Sequence, residues 1–124
     1  MPHLHLEYTD NLPQLNADSI LQRLNHALVA SGQFGNEADI KSRAVKLECF
    51  RVGTRPEERA FIHVKLAILS GRSPEVKKQV SESLLAVLTE SLQWPEALEI
   101  QLCVEVLDID RDSYTKTSFI GSGA

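Results

Sequence analysis

The chain has 124 residues, 43% hydrophobic and 24% charged, with a formal net charge of -4. This length suits one domain spanning 1–124, with 113–124 as a polar C-terminal tail, and is too short for two independent cores. Net acidity without a Lys/Arg cluster or an aromatic platform excludes nucleic acid as the expected partner, and no apolar run approaches the ~20 residues of a membrane span.

The amino-terminal stretch lacks the basic and apolar regions of a secretory signal, so the expected compartment is the cytoplasm. Residues Pro2 to Tyr8 alternate, with Leu4, Leu6 and Tyr8 on one face and His3, His5 and Glu7 on the other. That period predicts a half-buried strand. Turn residues follow, and Asn16 or Asp18 can cap a helix whose apolar positions Ile20, Leu21, Leu24, Ala27 and Leu28 recur at helical spacing. Gly32 is placed to stop it. Arg43 to Val52 alternates again and predicts a second strand, with Val45, Leu47 and Cys49 on its inner side and Lys46 and Glu48 on the other.

Polar residues Gly53 to Arg59 lead to Ala60–Leu69, where Ile62, Val64, Leu66 and Ile68 predict the inward face of a third strand. Ser73-Pro74-Glu75 then reads as N-cap, first-turn proline and first-turn acid, because the first amide N–H groups of a helix lack helical partners. Val76, Val80, Leu84, Leu85, Val87, Leu88 and Leu92 form the apolar stripe of this second helix, and Pro95 closes the region. Glu99 to Leu107 alternates with Ile100, Leu102, Val104 and Val106 inward, and the tail has the composition for a short strand near Tyr114 to Phe119. Cys49 and Cys103 lie in apolar-rich stretches without metal or disulfide spacing and are expected to be buried free thiols.

Strand, helix, strand, strand, helix, strand is an α+β order. Two β-α-β units are expected to form a four-stranded mixed sheet with both helices on one face. The other face would carry His3, His5, Lys46, Glu48, His63, Lys65, Gln101, Cys103 and Glu105. Such a face is either solvated or packed in a wet subunit interface.

Pro2 is the first candidate for chemistry. A small second residue permits removal of Met1, which leaves a secondary amine at the start of a strand. Partial desolvation near cations lowers the pKa of such an amine toward neutrality and makes it a general base. Arg72 lies between a strand end and a helix N-terminus, where anions are favoured and a guanidinium can grip a carboxylate in two places. Lys41 and Arg43 add two cations before the second strand. His3, His5 and His63 fall on the same predicted strand faces, and histidines two apart on one strand can share a metal, but no carboxylate or cysteine is spaced to complete a ligand set. No nucleophile elbow and no glycine-rich phosphate loop is present.

Pro2-His3-Leu4 running on to Glu7, Thr9-Asp10-Asn11, Ile40-Lys41-Ser42-Arg43, Ala60-Phe61-Ile62-His63-Val64 and Gly71-Arg72-Ser73 stand at separations that resemble the 5-carboxymethyl-2-hydroxymuconate Δ-isomerase family of the tautomerase superfamily. The resemblance runs from Pro2 to about Asp108. It implies a homotrimer, Pro2 as catalytic acid and base, and Lys41, Arg43 and Arg72 as substrate-binding cations. It implies neither cofactor nor metal. The implied substrate is a small-molecule dienol carboxylate from homoprotocatechuate catabolism, converted to its 2-oxo isomer. The family segment reads Ile-Arg-Ser-Arg, and its first arginine position is Lys41 here; lysine cannot form a two-point guanidinium clamp. A tautomerase acting on another enol acid, or a non-catalytic ferredoxin-like ligand-binding module, fits the same element order.

Overall fold

A computed structural model describes residues 1–91, 93 and 97–121. Its elements are β1 (His3–Thr9), α1 (Ala17–Ala30), a 3-10 turn (Glu37–Asp39), β2 (Lys41–Leu47), β3 (Arg59–Leu69), α2 (Pro74–Ser91) and β4 (Glu99–Ile109). The strand order is β2-β1-β3-β4. Strand β1 runs parallel to β2 and antiparallel to β3, and β3 runs parallel to β4. Each parallel pair needs a crossover, which α1 and α2 supply, so the predicted pair of β-α-β units in a four-stranded mixed sheet is what the chain forms.

Local chemistry sets the helix ends. Asn16 Oδ1 accepts from Ser19 N at 3.1 Å, and Ser73 Oγ accepts from Val76 N at 3.2 Å just before Pro74 opens α2. Gly32, with φ of +74°, takes the left-handed conformation that lets the chain leave α1. Predicted positions Leu92 and Pro95 lie outside the described residues.

The core lies between the helices and one sheet face. Leu4 and Leu6 of β1 and Ala60, Ile62, Val64, Leu66 and Ile68 of β3 are fully buried against Ile20, Leu24 and Leu28 of α1 and Val80, Leu84 and Leu88 of α2. The inward residues of β4 are only half-buried because that strand forms an edge. Among the described residues no helix is long and apolar enough to cross a membrane.

Three expectations are corrected. Strand β2 ends at Leu47, and its register pairs Ser42 with Leu4 and Ala44 with Leu6, so Ser42, Ala44 and Lys46 face the helices. Val45 faces outward and is 53% exposed. An edge strand is held by one neighbour, and here the parallel pairing with β1 overrides the alternation of its own apolar residues. Both thiols are exposed rather than buried: Cys49 lies in a bend beyond β2, and Cys103 sits on the sheet face away from the helices, beside His63. Residues Tyr114–Phe119 form no strand in the single chain; side chains, not a backbone ladder, tie this segment down.

Candidate active site

Pro2 lies immediately before β1. It has no N–H to offer a ladder, and its carbonyl accepts from Lys41 N at 3.1 Å, which aligns the starts of β1 and β2. The ring of Pro2 is fully buried. Met1 precedes it in this structure, so the Pro2 nitrogen is an amide here.

The amino terminus is ringed by charge. Partial burial first, and then the cations Arg72, Lys41 and Lys116, hold the Met1 amine below its ordinary pKa, while Asp39 pulls the other way. The 3-10 turn that delivers Asp39 is capped by Asn36, whose Oδ1 accepts from Ala38 N at 3.1 Å. Lys41 Nζ donates to the Asp39 carbonyl at 2.6 Å, and Lys116 Nζ donates to Asp39 Oδ1 at 2.7 Å. The Lys116 hydrogen bond holds the Asp39 carboxyl below its usual range.

Arg72 is positioned by the turn after α1. Its guanidinium lies 4.9 Å from the Phe34 ring centre, and Nη2 donates to Gln33 O at 2.8 Å while Nη1 donates to Leu69 O at 3.3 Å. A guanidinium has five N–H donors, so this anchorage leaves donors for an anion. Arg43 sits differently. Its Nη2 meets His3 Nδ1 at 2.8 Å, and His3 Nε2 meets Tyr114 Oη at 3.0 Å. Burial, then Arg43 and Lys41, lower the pKa of His3.

The charges of Arg72 and Lys41 thus act on the amino terminus, while Arg43 is held on His3, on the sheet face away from the helices. Sequence reasoning missed Asp39, Tyr114 and Lys116. The tail carries no period, and a contact spanning 77 or 111 residues leaves no local trace. The flanking cleft, about 520 Å³, is lined by His3, Asn36, Asp39, Lys41, Tyr114 and Lys116, among others.

A family model described as 5-carboxymethyl-2-hydroxymuconate isomerase matches residues 2–122. The chain belongs to that family, and it is an isomerase. It is similar to the 5-carboxymethyl-2-hydroxymuconate Delta-isomerase of Escherichia coli, at 29% identity over 89 residues, covering 71% of this chain and 70% of that protein. It also resembles the crystal structure of a 5-carboxymethyl-2-hydroxymuconate isomerase from Deinococcus radiodurans R1, at 35% identity and a TM-score of 0.84, covering 95% of this chain and 90% of that one. A fused 4-OT symmetric trimer shares the fold at 15% identity, with a TM-score of 0.66 and coverage of 98% and 99%. The tautomerase-like fold expected of the isomerase is thus the fold it has.

Proposed function

We propose that this isomerase, once Met1 is removed, converts 5-carboxymethyl-2-hydroxymuconate to its 2-oxo isomer with Pro2 as the proton carrier. The observation that carries the reading is the buried Pro2 ring at the start of β1, its carbonyl bonded by Lys41 N at 3.1 Å, with the charges of Arg72 and Lys41 acting on the terminus that leads into it. The burial and cations that lower the Met1 amine act on the Pro2 amine one residue further in. Partial burial and nearby cations disfavour the ammonium form of a terminal secondary amine, which is the direction a general base needs.

In the proposed reaction, the Pro2 amine takes the proton of the substrate 2-hydroxyl. The electron pair moves along the conjugated chain to a distal carbon, which receives a proton from the Pro2 ammonium. One O–H bond breaks and one C–H bond forms, so no oxidant, metal or cofactor enters the balance. Lys41 and Arg72 hold carboxylates and stabilise the developing dienolate, and positioning supplies the remainder of the barrier reduction. Arg43, engaged by His3 on the sheet face away from the helices, is left out of this pair.

The whole chain works as one cytoplasmic catalytic domain assembled as a homotrimer. Support for assembly comes from the sheet face turned away from the helices, where Val45 is 53% and Leu107 41% exposed among polar residues. A fused 4-OT relative of this fold is a symmetric trimer. Packing that face around a shared axis removes this apolar area from water.

The test is to follow ketonisation of the dienol by its ultraviolet absorbance, using protein shown by intact mass to lack Met1. Decay much faster than in buffer is expected. Decay at the buffer rate would overturn the assignment.

A further inference from the structure

The segment after β4 returns to the beginning of the chain. Tyr114 Oη, at His3 Nε2, and Lys116 Nζ, at Asp39 Oδ1, fasten it at two points that are two residues apart. Between them they close one side of the cleft beside the amino terminus. The Lys116 and Asp39 side chains are only 27% and 26% exposed, unlike an open surface pair such as Lys78 and Glu82 at 76% and 64%. The same ammonium lies 3.7 Å from Met1 Sδ.

Loss of Met1 removes that thioether from the Lys116 ammonium. An ammonium carries three donors, and Asp39 Oδ1 takes one. The substrate named above has three carboxylates, whereas Lys41 and Arg72 supply two cations at the terminus and Arg43 is engaged by His3. Asp39 neutralises part of the positive cluster before substrate arrives and holds Lys116 at the rim.

Resting on the proposed reaction, we propose that Lys116 is a third carboxylate-binding cation of the active site, delivered by the C-terminal segment and handed from Asp39 to the substrate. Its role is selectivity for a tricarboxylate over acids with fewer charges. Tyr114 acts as a positioning residue, through its contact with His3.

Calorimetry on Met1-free protein tests this with two unreactive ligands, propane-1,2,3-tricarboxylate and glutarate. Lys116→Met retains the length of the side chain and removes the charge. It should weaken the tricarboxylate by about 10-fold or more, the worth of a charge-assisted hydrogen bond, and change glutarate by less than about twofold. Lys116→Arg should stay within about threefold of the parent. Unchanged tricarboxylate affinity in Lys116→Met, equal weakening of both acids, or no tricarboxylate binding by the parent would each overturn the proposal. The catalytic reading fails separately: charge-selective binding without turnover sinks the isomerisation and leaves Lys116 standing, while turnover with Lys116-independent binding does the reverse.

Discussion

Arg43 donates from Nη2 to Nδ1 of His3 at 2.8 Å, across the parallel β1–β2 pair. Arginine has no acceptor, so His3 Nδ1 must present its lone pair. The ring proton then resides on Nε2, which donates to Tyr114 Oη. Neutral His3 is thereby built into the contact between the first strand, the second strand and the tail.

This arrangement fixes the sign of a pH effect. The folded-state pKa values of His3 and His5 lie below the ordinary 6.5, through burial first and then Arg43. Between the folded and unfolded values the unfolded chain binds more protons, so stability is full above about pH 6.5 and is lost as the pH falls through the folded values. Thermal unfolding between pH 8 and pH 5, roughly the range in which histidine titrates, should show a declining midpoint. His3→Asn keeps an acceptor for Arg43 and has no proton to gain, so its decline should be shallower. A decline as steep as the parent's would remove His3 from the explanation.

The core makes an independent prediction about stability. Leu66 is fully buried on β3, an inner strand of the sheet, whereas Val106, its partner on edge strand β4, is half-buried. Leu66→Ala should cost about 2–5 kcal/mol of unfolding free energy, by lost transfer energy and the cavity left behind. Val106→Ala should cost clearly less. Urea unfolding of the two variants checks the order, and equal losses would contradict the layer arrangement.

The cysteines report on assembly. Both thiols are exposed in the single chain, but only Cys103 lies on the sheet face proposed to be covered by neighbouring subunits. A thiol reagent should modify Cys49 rapidly in the native protein and Cys103 only after dissociation. Equal native rates would argue against that face as the interface.

Most of the fold was legible because its signals are local. Asn16 and Ser73-Pro74 mark helix starts by side-chain chemistry, and the alternation of β1, β3 and β4 shows which residues face inward. Strand β2 misled because Val45 and Leu47 are apolar while Ser42 and Ala44 face the helices; pairing with β1 decides that register, and pairing is not a property of ten consecutive residues. The same limit hid part of the site. Pro2, Lys41, Arg43 and Arg72 stood out by residue type and place in the chain, and the resemblance gave them roles, but Asp39 meets Lys116 only once the chain has folded.

Lys41 offers a further test. Its ammonium gives one donor to the Asp39 carbonyl and presents the rest as a point charge, whereas a guanidinium at this position would offer a planar fork for a two-point carboxylate contact. Lys41→Arg should shift kcat/KM toward the tricarboxylate dienol and away from smaller enol acids, by about 3- to 10-fold, the scale of one improved charged contact. An unchanged ratio would mean that Lys41 does not touch substrate.

The most direct test concerns Pro2 itself. In Met1-free Pro2→Ala protein the secondary amine becomes a primary one, and the geometry fixed by the ring is lost. Ketonisation of 5-carboxymethyl-2-hydroxymuconate should fall by about 10²-fold or more in kcat/KM, the contribution expected of a positioned general acid–base. Activity within about twofold of the parent, in a variant verified by mass, would contradict the central claim that the Pro2 nitrogen carries the proton.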